Sequence, residues 1–488
     1  MRRIASTIAL LLTLLPLFSA QSALASDQKT LSMMTRNIYL GADVGVALQL
    51  LPDFPAAAQF MWDQMRATNF EKRSRTLAKE LALYKPDLVG VQEATKWICK
   101  KGILSKKKVI FDFLQILINE SKRQGVGYSI ATKDGARAFN TGFSIPAIPR
   151  LTVVKDPTLF PSIFGGETAS CGFEIADAIL IRDDFDGKIA HVGNSEYRDY
   201  YTVVPALMEI YRGYSWLDLD IDGQPIRIVT THLESLFDEE SVPHSSIQAD
   251  QLIADLASTN SPLVVMGDFN ADPRDPRGNN DVNPGGQPAE NKFCNEQGRA
   301  PSQSNFDSSC NAYWKMIKAG YEDVGPNSQE PKNFTWGLGA LLDGPDPARE
   351  MIARKWGNPH GFTERLDYIF IKNGISVKES RLVSHQGMKE TLLWDCNATQ
   401  EKAKCAPSDH AGVFAQLALS PTNQALIDGP LPDNQVIPWV KFILIGLLLL
   451  ILSLIIWLPY RFILRPLVIL PLQTRMRVRA ERGIEINE

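Results

Sequence analysis

Seven short apolar runs restrict this chain to an alternating α/β plan. They are Leu31–Ile38, Leu88–Val91, Ala176–Ile181, Ile226–Thr231, Leu263–Met266, Leu366–Ile371 and Gly412–Leu419. Runs of this length suit strands covered on both faces better than buried helices. Helix-period segments lie between them. Phe70–Tyr84 sets Leu77, Leu81 and Tyr84 on one face before Pro86 breaks the helix. Val109–Lys122 is predicted as an amphipathic helix with Ile110, Phe113, Leu114 and Leu117 on one side; Ser245–Ala257 and Ala312–Ala319 are further predicted helices. No fixed-period repeat interrupts the series, and nothing marks a domain split between Leu31 and Leu419. One large unit of residues 31–420 is expected.

Three stretches read differently. Thr141–Gly166 is apolar but carries four prolines, which forbid a long helix and disfavour a central strand. It is predicted as a loop packed on the body, the alternative being an apolar surface that touches lipid. Asp272–Ser309 is rich in Asn, Gly, Pro and Ser and is predicted as a long surface loop. Thr422–Asn434 reads as a linker, within a boundary of 421–437.

The two ends carry targeting signals. Arg2 and Arg3 precede the apolar run Ile8–Leu17, and Ala23-Leu24-Ala25 offers a small-residue cleavage site, so residues 1–25 are predicted as a signal peptide. Val440–Leu458 is nearly free of charge, flanked by Trp439 and Trp457, and followed by Arg461, Arg465, Arg475, Arg477 and Arg479. Residues 438–459 are therefore predicted as a transmembrane helix and 460–488 as a basic cytoplasmic tail. Both signals place the body outside the cytoplasmic membrane, periplasmic or extracellular. Net charge is −4 in all, +2 before Ser26 and +4 from Pro438 on, leaving −10 for the body. That balance disfavours strong nonspecific binding to nucleic acid. The six cysteines form no CxxC, and an exported chain with an even count favours disulfides. Six cysteines allow fifteen pairings; proximity suggests Cys294–Cys310 and Cys396–Cys405, leaving Cys99–Cys171.

Chemistry-bearing residues stand at the ends of the apolar runs. Asn37 ends the first, and Gln92 and Glu93 end the second. His232 follows Ile226–Thr231, and Gly267-Asp268-Phe269-Asn270 follows Leu263–Met266. Asp367 lies in Arg365-Leu366-Asp367-Tyr368, and Ser408-Asp409-His410 opens the last run. Any one of these is an ordinary turn former or surface group. Together they form a set of hard oxygen ligands, a water-orienting carboxylate and two imidazoles. Hydrolysis of a phosphate ester needs such a set: a cation and donors for the anionic phosphoryl oxygens, and an acceptor for the proton of water.

The motifs Thr35-Arg36-Asn37, Val91-Gln92-Glu93, Thr231-His232-Leu233, Gly267-Asp268-Phe269-Asn270, Arg365-Leu366-Asp367-Tyr368 and Ser408-Asp409-His410, in this order, resemble those of the endonuclease/exonuclease/phosphatase superfamily. The resemblance spans Leu31 to Leu419. It implies a four-layer α/β sandwich: two mixed sheets face to face, helices outside, and the site at one edge. It implies Asn37, Glu93 and Asp409 as ligands of Mg2+ or Mn2+. It implies Asp268 and Asn270 as the water-orienting and phosphate-contacting pair, His410 as a catalytic imidazole oriented by Asp367, and His232 as a second imidazole. Tyr39 stands where some nucleases of the group have an acid, so a second metal at this end is not expected.

Three substrate classes remain open. Nucleic acid fits the nuclease branch. Phospholipid fits a sphingomyelinase-like branch and the predicted anchor. A phosphoinositide-directed enzyme would use Lys100, Lys101, Lys106, Lys107 and Lys108, which also read as a solvated helix start. A non-catalytic binding module on the same scaffold would be expected to have lost part of the acid–imidazole set.

Overall fold

Burial on both faces decides where the strands go. The computed structural model describes residues 29–102, 105–159, 168–204, 208–236, 242–273, 311–328, 330–337, 362–384, 392–396, 404–420, 427–435 and 439–484. The first sheet has nine strands among the described residues. Its path runs Ile375–Val383, Gly412–Leu419, Thr30–Asn37, Leu88–Lys100, Thr168–Arg182, Tyr128–Ile130. Thr30–Asn37 lies parallel to Leu88–Lys100 and antiparallel to Gly412–Leu419. The second sheet has six strands among the described residues, ordered Lys188–Glu196, Gly213–Ile221, Gln224–His232, Leu263–Asp268, Asp367–Lys372, Glu322–Asp323. In it Gln224–His232 and Leu263–Asp268 are parallel, and Leu263–Asp268 and Asp367–Lys372 antiparallel.

The sheets pack face to face. Leu31, Met33, Leu88, Ile179 and Leu417 of the first meet Leu217, Ile228, Val264, Met266 and Ile369 of the second in one buried core. Each such side chain contributes ~1.5–3 kcal/mol by leaving water. A Cβ on Gly90 would lie 2.6 Å from Thr230 Oγ1, so the sheets approach there only because position 90 has no side chain. Outside the first sheet, Leu77, Leu81 and Leu117 close over Val89 and Val91. Their helices, Phe70–Tyr84 and Phe113–Arg123, meet at the stacked Phe70 and Phe113 rings, 3.9 Å apart. Outside the second, Leu252 of His244–Asp255 and Met316 of Ala312–Lys318 pack with Val229, Val265 and Phe370. These are the four expected layers.

Several predicted elements are corrected. Lys108–Asp112 is a strand, and the helix begins only at Phe113, because the extended Asp112 accepts from the Gln115 amide and caps it. The lysine run from Lys100 to Lys108 therefore spans a strand connection rather than a helix start. Gln92 and Glu93 do not end their strand. It continues to Lys100, and they occupy a bulge between Val91 and Ala94. Thr141–Gly166 is no simple loop: Phe139–Ile145 and Val153–Lys155 both pair with Thr168–Arg182, burying Phe143 and Val154. Residues 160–167 lie outside the described residues, as do the signal segment, most of the Asp272–Ser309 loop with the Cys294–Cys310 pair, and 421–426. The described part of the linker, 427–435, is held to the second sheet by hydrogen bonds from Arg227, Ser261 and Glu196.

Cys99 and Cys171 are bonded across neighbouring strands, and Cys396 and Cys405 across a short hairpin. At the C-terminus Trp439–Pro459 is a helix, followed by π-helical Tyr460–Ile469 and the helix Leu470–Ile484. Within it lies one stretch, Leu449–Val478, long and apolar enough to cross a membrane.

Candidate active site

Pairing register builds half of the site. His232 stands opposite Asp268, and Asp268 opposite Asp367, so three neighbouring strands of the second sheet end on one row. Gly267 sets the entry to that row. Its φ is +150°, and a Cβ there would lie 1.9 Å from the Thr231 carbonyl oxygen, so no side chain fits. The first sheet supplies the rest. Asn37 ends its strand, and the adjacent bulge holds Glu93 at φ +60°. Bulges re-aim side chains in this way. The Ser408 hydroxyl donates to the Asn37 carbonyl (2.8 Å), tying Ser408-Asp409-His410 to the first strand.

These groups converge. Asn37 Nδ2 donates to Glu93 Oε1 and to Asp268 Oδ2, both at 3.1 Å, bridging the two sheets. Its Oδ1 accepts from the Tyr39 amide (2.9 Å). Glu93 Oε2 accepts from the Leu40 amide (2.6 Å). Asp268 Oδ2 also lies 3.5 Å from His410 Nε2 and 3.6 Å from His232 Nε2. His410 Nδ1 lies 2.9 Å from Asp367 Oδ2. The Asn270 amide donates to Asp268 Oδ1 (3.0 Å), and Asn270 Nδ2 to the Leu233 carbonyl (2.8 Å).

Burial makes these contacts electrostatically strong. It would lower His410, but Asp367, Asp268 and Asp409 outweigh it and push the imidazole up to about 10. Burial and then the Asp367 charge raise Asp268, while His410 and His232 oppose them. Burial raises Asp409 to about 7, and Glu93 adds to that rise. Burial and the Arg212 charge lower His232, but Asp177 and Asp268 leave it raised on balance.

Four further residues shape the site, and none lies in the motifs. Arg212 precedes the Gly213–Ile221 strand. Its Nη1 is 3.1 Å from His232 Nδ1, and its Nε donates to Glu234 (3.1 Å). Asp177 is 3.7 Å from the same imidazole nitrogen. Arg73 is fully buried and donates to the carbonyls of Ile38 (2.8 Å), Tyr39 (3.1 Å) and Pro407 (2.9 Å), clamping the segments that carry Asn37 and Asp409. The only available sequence signal was a charge beside an apolar segment, which usually means a solvated group.

The donor set fits a divalent cation. Glu93 and Asp409 are buried or half-buried carboxylates whose charges oppose each other, and a cation would relieve that opposition. Asp268, Asp367 and His410 also present ligand atoms within 4.8 Å of one another, although His410 and Asp367 already satisfy each other.

The chain matches the Endonuclease/Exonuclease/phosphatase family over residues 37–410, an interval that takes in all eight residues singled out by the motifs. It belongs to that family, whose members are phosphoesterases and generally depend on a divalent metal. No curated protein sequence matches it. Similar solved structures include a family protein from Bacteroides thetaiotaomicron (16% identity, 81% of this chain and 99% of that one, TM-score 0.40). Another is from Beutenbergia cavernae (14%, 80% and 72%, TM-score 0.42). A third is a mannosyl-6-phosphatase from Bacteroides thetaiotaomicron (16%, 79% and 99%, TM-score 0.38). Likenesses this distant say nothing of substrate.

Proposed function

We propose that this chain is a Mg2+-dependent phosphodiesterase, nuclease-like in its machinery, whose body of residues 31–420 works outside the cytoplasmic membrane. The observation that carries this reading is the single oxygen of Asp268 shared by Asn37, His232 and His410. A carboxylate so placed orients a water and takes its proton as the water attacks phosphorus. His410, held by Asp367, stays protonated and donates to a phosphoryl oxygen. Asn270 donates beside it without adding charge. His232 and Arg212 stand on the other side of Asp268, where a departing alcohol needs a proton and the phosphate a counter-charge. Glu93 and Asp409, with Asn37 beside them, would hold the Mg2+, which supplies Lewis-acid polarisation of the phosphate. In Asn37 the amide oxygen now faces the Tyr39 amide, so that ligand role requires the side chain to turn.

The apolar C-terminal helix supports the anchored placement. The two described disulfides fit an oxidising compartment. The test is release of p-nitrophenol from bis-p-nitrophenyl phosphate with Mg2+. Glu93→Gln should reduce kcat by at least ~100-fold. Hydrolysis that survives this change would refute the metal assignment, and a folded wild type without hydrolysis would favour a binding module.

A further inference from the structure

A cavity of about 600 Å³ lies at the edge of the second sheet, away from the catalytic row. Its floor is residues 190–194 of the edge strand Lys188–Glu196, with Trp216 of the neighbouring strand. One wall is the hairpin of Thr132–Lys133 and Ala136–Arg137, fastened where Lys133 Nζ donates to the Ile189 carbonyl (2.9 Å). The other wall is Pro430, Leu431 and Asp433. It is fastened by Leu431, buried beside Trp216, and by the Asn434 amide, which donates to Ser195 Oγ (3.1 Å). Glu196 pairs with Gly213, and the next residue, Tyr214, pairs with Thr231, just before His232. His191 is five residues short of Glu196, so it stands ~16 Å from the catalytic row at ~3.3 Å per residue.

Register sets what faces the cavity. His191 stands opposite Asp218 and Gly193 opposite Trp216. Alternate residues of a strand share a face, so these four lie on one side of the sheet. Position 193 has no side chain, and a Cβ there would lie 2.9 Å from Trp216 Nε1, Cε2 and Cζ2. The indole edge reaches the cavity through that gap. Trp216 is 4% exposed, yet among the described residues its Nε1–H has no hydrogen-bond acceptor. A buried indole N–H ordinarily has one. Arg227 lies over the same ring, 5.6 Å from its centroid, and donates through Nε and Nη2 to Asp218 (2.8 and 2.9 Å). Asp218 in turn is 3.2 Å from His191 Nδ1. An ionised carboxylate only accepts, so it holds Nδ1 as a donor and leaves Nε2 for the cavity. Arg227, Asp218 and Trp216 are all buried, so the half-exposed His191 is braced from behind.

Charge on the walls selects the ligand. The Arg137 guanidinium lies over the Phe139 ring, 5.0 Å from its centroid, and Lys133 is half-buried beside it. Among the described residues neither cation pairs with a carboxylate. Asp134 and Asp433 also line the cavity, but both are exposed and screened by water. Among the described residues no three acid or imidazole ligand atoms gather here as they do at Asp268, Asp367 and His410, so the cavity does not suit a metal ion. Its volume is that of a small-molecule site, and Phe139, Leu431 and the indole edge give it apolar walls. We propose that this cavity binds a small anion with a planar apolar body, an aryl carboxylate or aryl phosphate. The anionic oxygens take hydrogen bonds from Trp216 Nε1 and His191 Nε2 and face the Arg137 guanidinium. Binding here involves no bond breaking and does not depend on the proposed hydrolysis.

The test titrates the full chain, without Mg2+, with benzoate and phenylphosphonate by ligand-observed NMR. Benzyl alcohol and benzylamine serve as uncharged and cationic controls. One or both anions should bind with Kd below ~1 mM, and the controls ~10-fold more weakly or not at all. The tighter anion decides between carboxylate and phosphate. His191→Gln, Arg137→Ala and Trp216→Phe, which keeps a ring but loses the N–H, should each weaken anion binding ~10-fold. All three lie outside the catalytic set, so circular dichroism and hydrolysis of bis-p-nitrophenyl phosphate with Mg2+ should match the wild type. Anion binding unchanged in His191→Gln and Arg137→Ala, whose side chains lie outside the core, overturns the inference. So do equal binding of benzyl alcohol and a lack of anion binding up to ~10 mM. A wild type that binds the anion but hydrolyses nothing would refute the catalytic reading and support this site.

Discussion

His410 and His232 flank one oxygen of Asp268 at nearly equal distances, yet their surroundings differ. His410 has a carboxylate at 2.9 Å behind it and, among the described residues, no arginine hydrogen-bonded to its ring. His232 has Arg212 at 3.1 Å and Asp177 at 3.7 Å on the same ring nitrogen, so a cation and an anion compete for it. One imidazole is pushed far toward its charged form, and the other is raised only against the opposition of burial and Arg212. Two identical side chains thus suit two tasks, a standing positive charge and a movable proton. Their environment makes the difference, as it does wherever acid and base roles are separated.

The largest expected effect comes from removing what the two share. Asp268→Asn should lower kcat on bis-p-nitrophenyl phosphate by ~10,000-fold with the fold intact by circular dichroism. A loss no greater than that of His232→Ala would break the idea of a common acceptor. Next come the partners behind each ring. Asp367→Asn should cost ~100- to 1,000-fold and Asp177→Asn ~10-fold. Their pH profiles should separate as well. His410 is protonated below about 10, so activity that needs its charge is present below that pH and falls as pH rises through it. Losing the Asp367 charge removes the main lift on His410, so the fall should move to lower pH. Asp177→Asn should leave that limb in place; a shift there instead would assign it to His232.

Much of this was legible where local chemistry agrees with the tertiary plan. Phe70–Tyr84 matches its predicted bounds because Asn69 caps one end and Lys85 turns left-handed before Pro86 at the other. The positions of His232, Asp268 and His410 were legible because apolar runs stop at the first two and one starts just after the third. The edge strand Lys188–Glu196 was not. It is largely half-exposed and carries His191, Gly193 and Asn194, so no apolar pattern marks it. Arg73 was invisible for the opposite reason. On a helix full of charges it reads as solvated, yet it is buried by carbonyls more than 30 positions away on either side. Arg212 and Asp177 belong to no run end, and only the fold brings them to His232.

Arg212→Gln gives the smallest effect and the sharpest view of His232. Arg212 opposes protonation of His232, whereas Asp177 and Asp268 favour it. Taking away the guanidinium leaves the two carboxylates less opposed, so the pKa of His232 should rise. Glu234 loses its cation but keeps the Ser235 and Leu236 amides, at 2.8 and 2.9 Å, so the loop should hold. If His232 gives its proton to the leaving alcohol, the pH limb it controls should move upward while kcat falls ~10-fold from the lost counter-charge. An ester with a leaving group that needs no proton should show the fall in kcat without the shift. A fall with no shift on either ester would mean that Arg212 serves the phosphate alone and that the competition at His232 has no part in the rate.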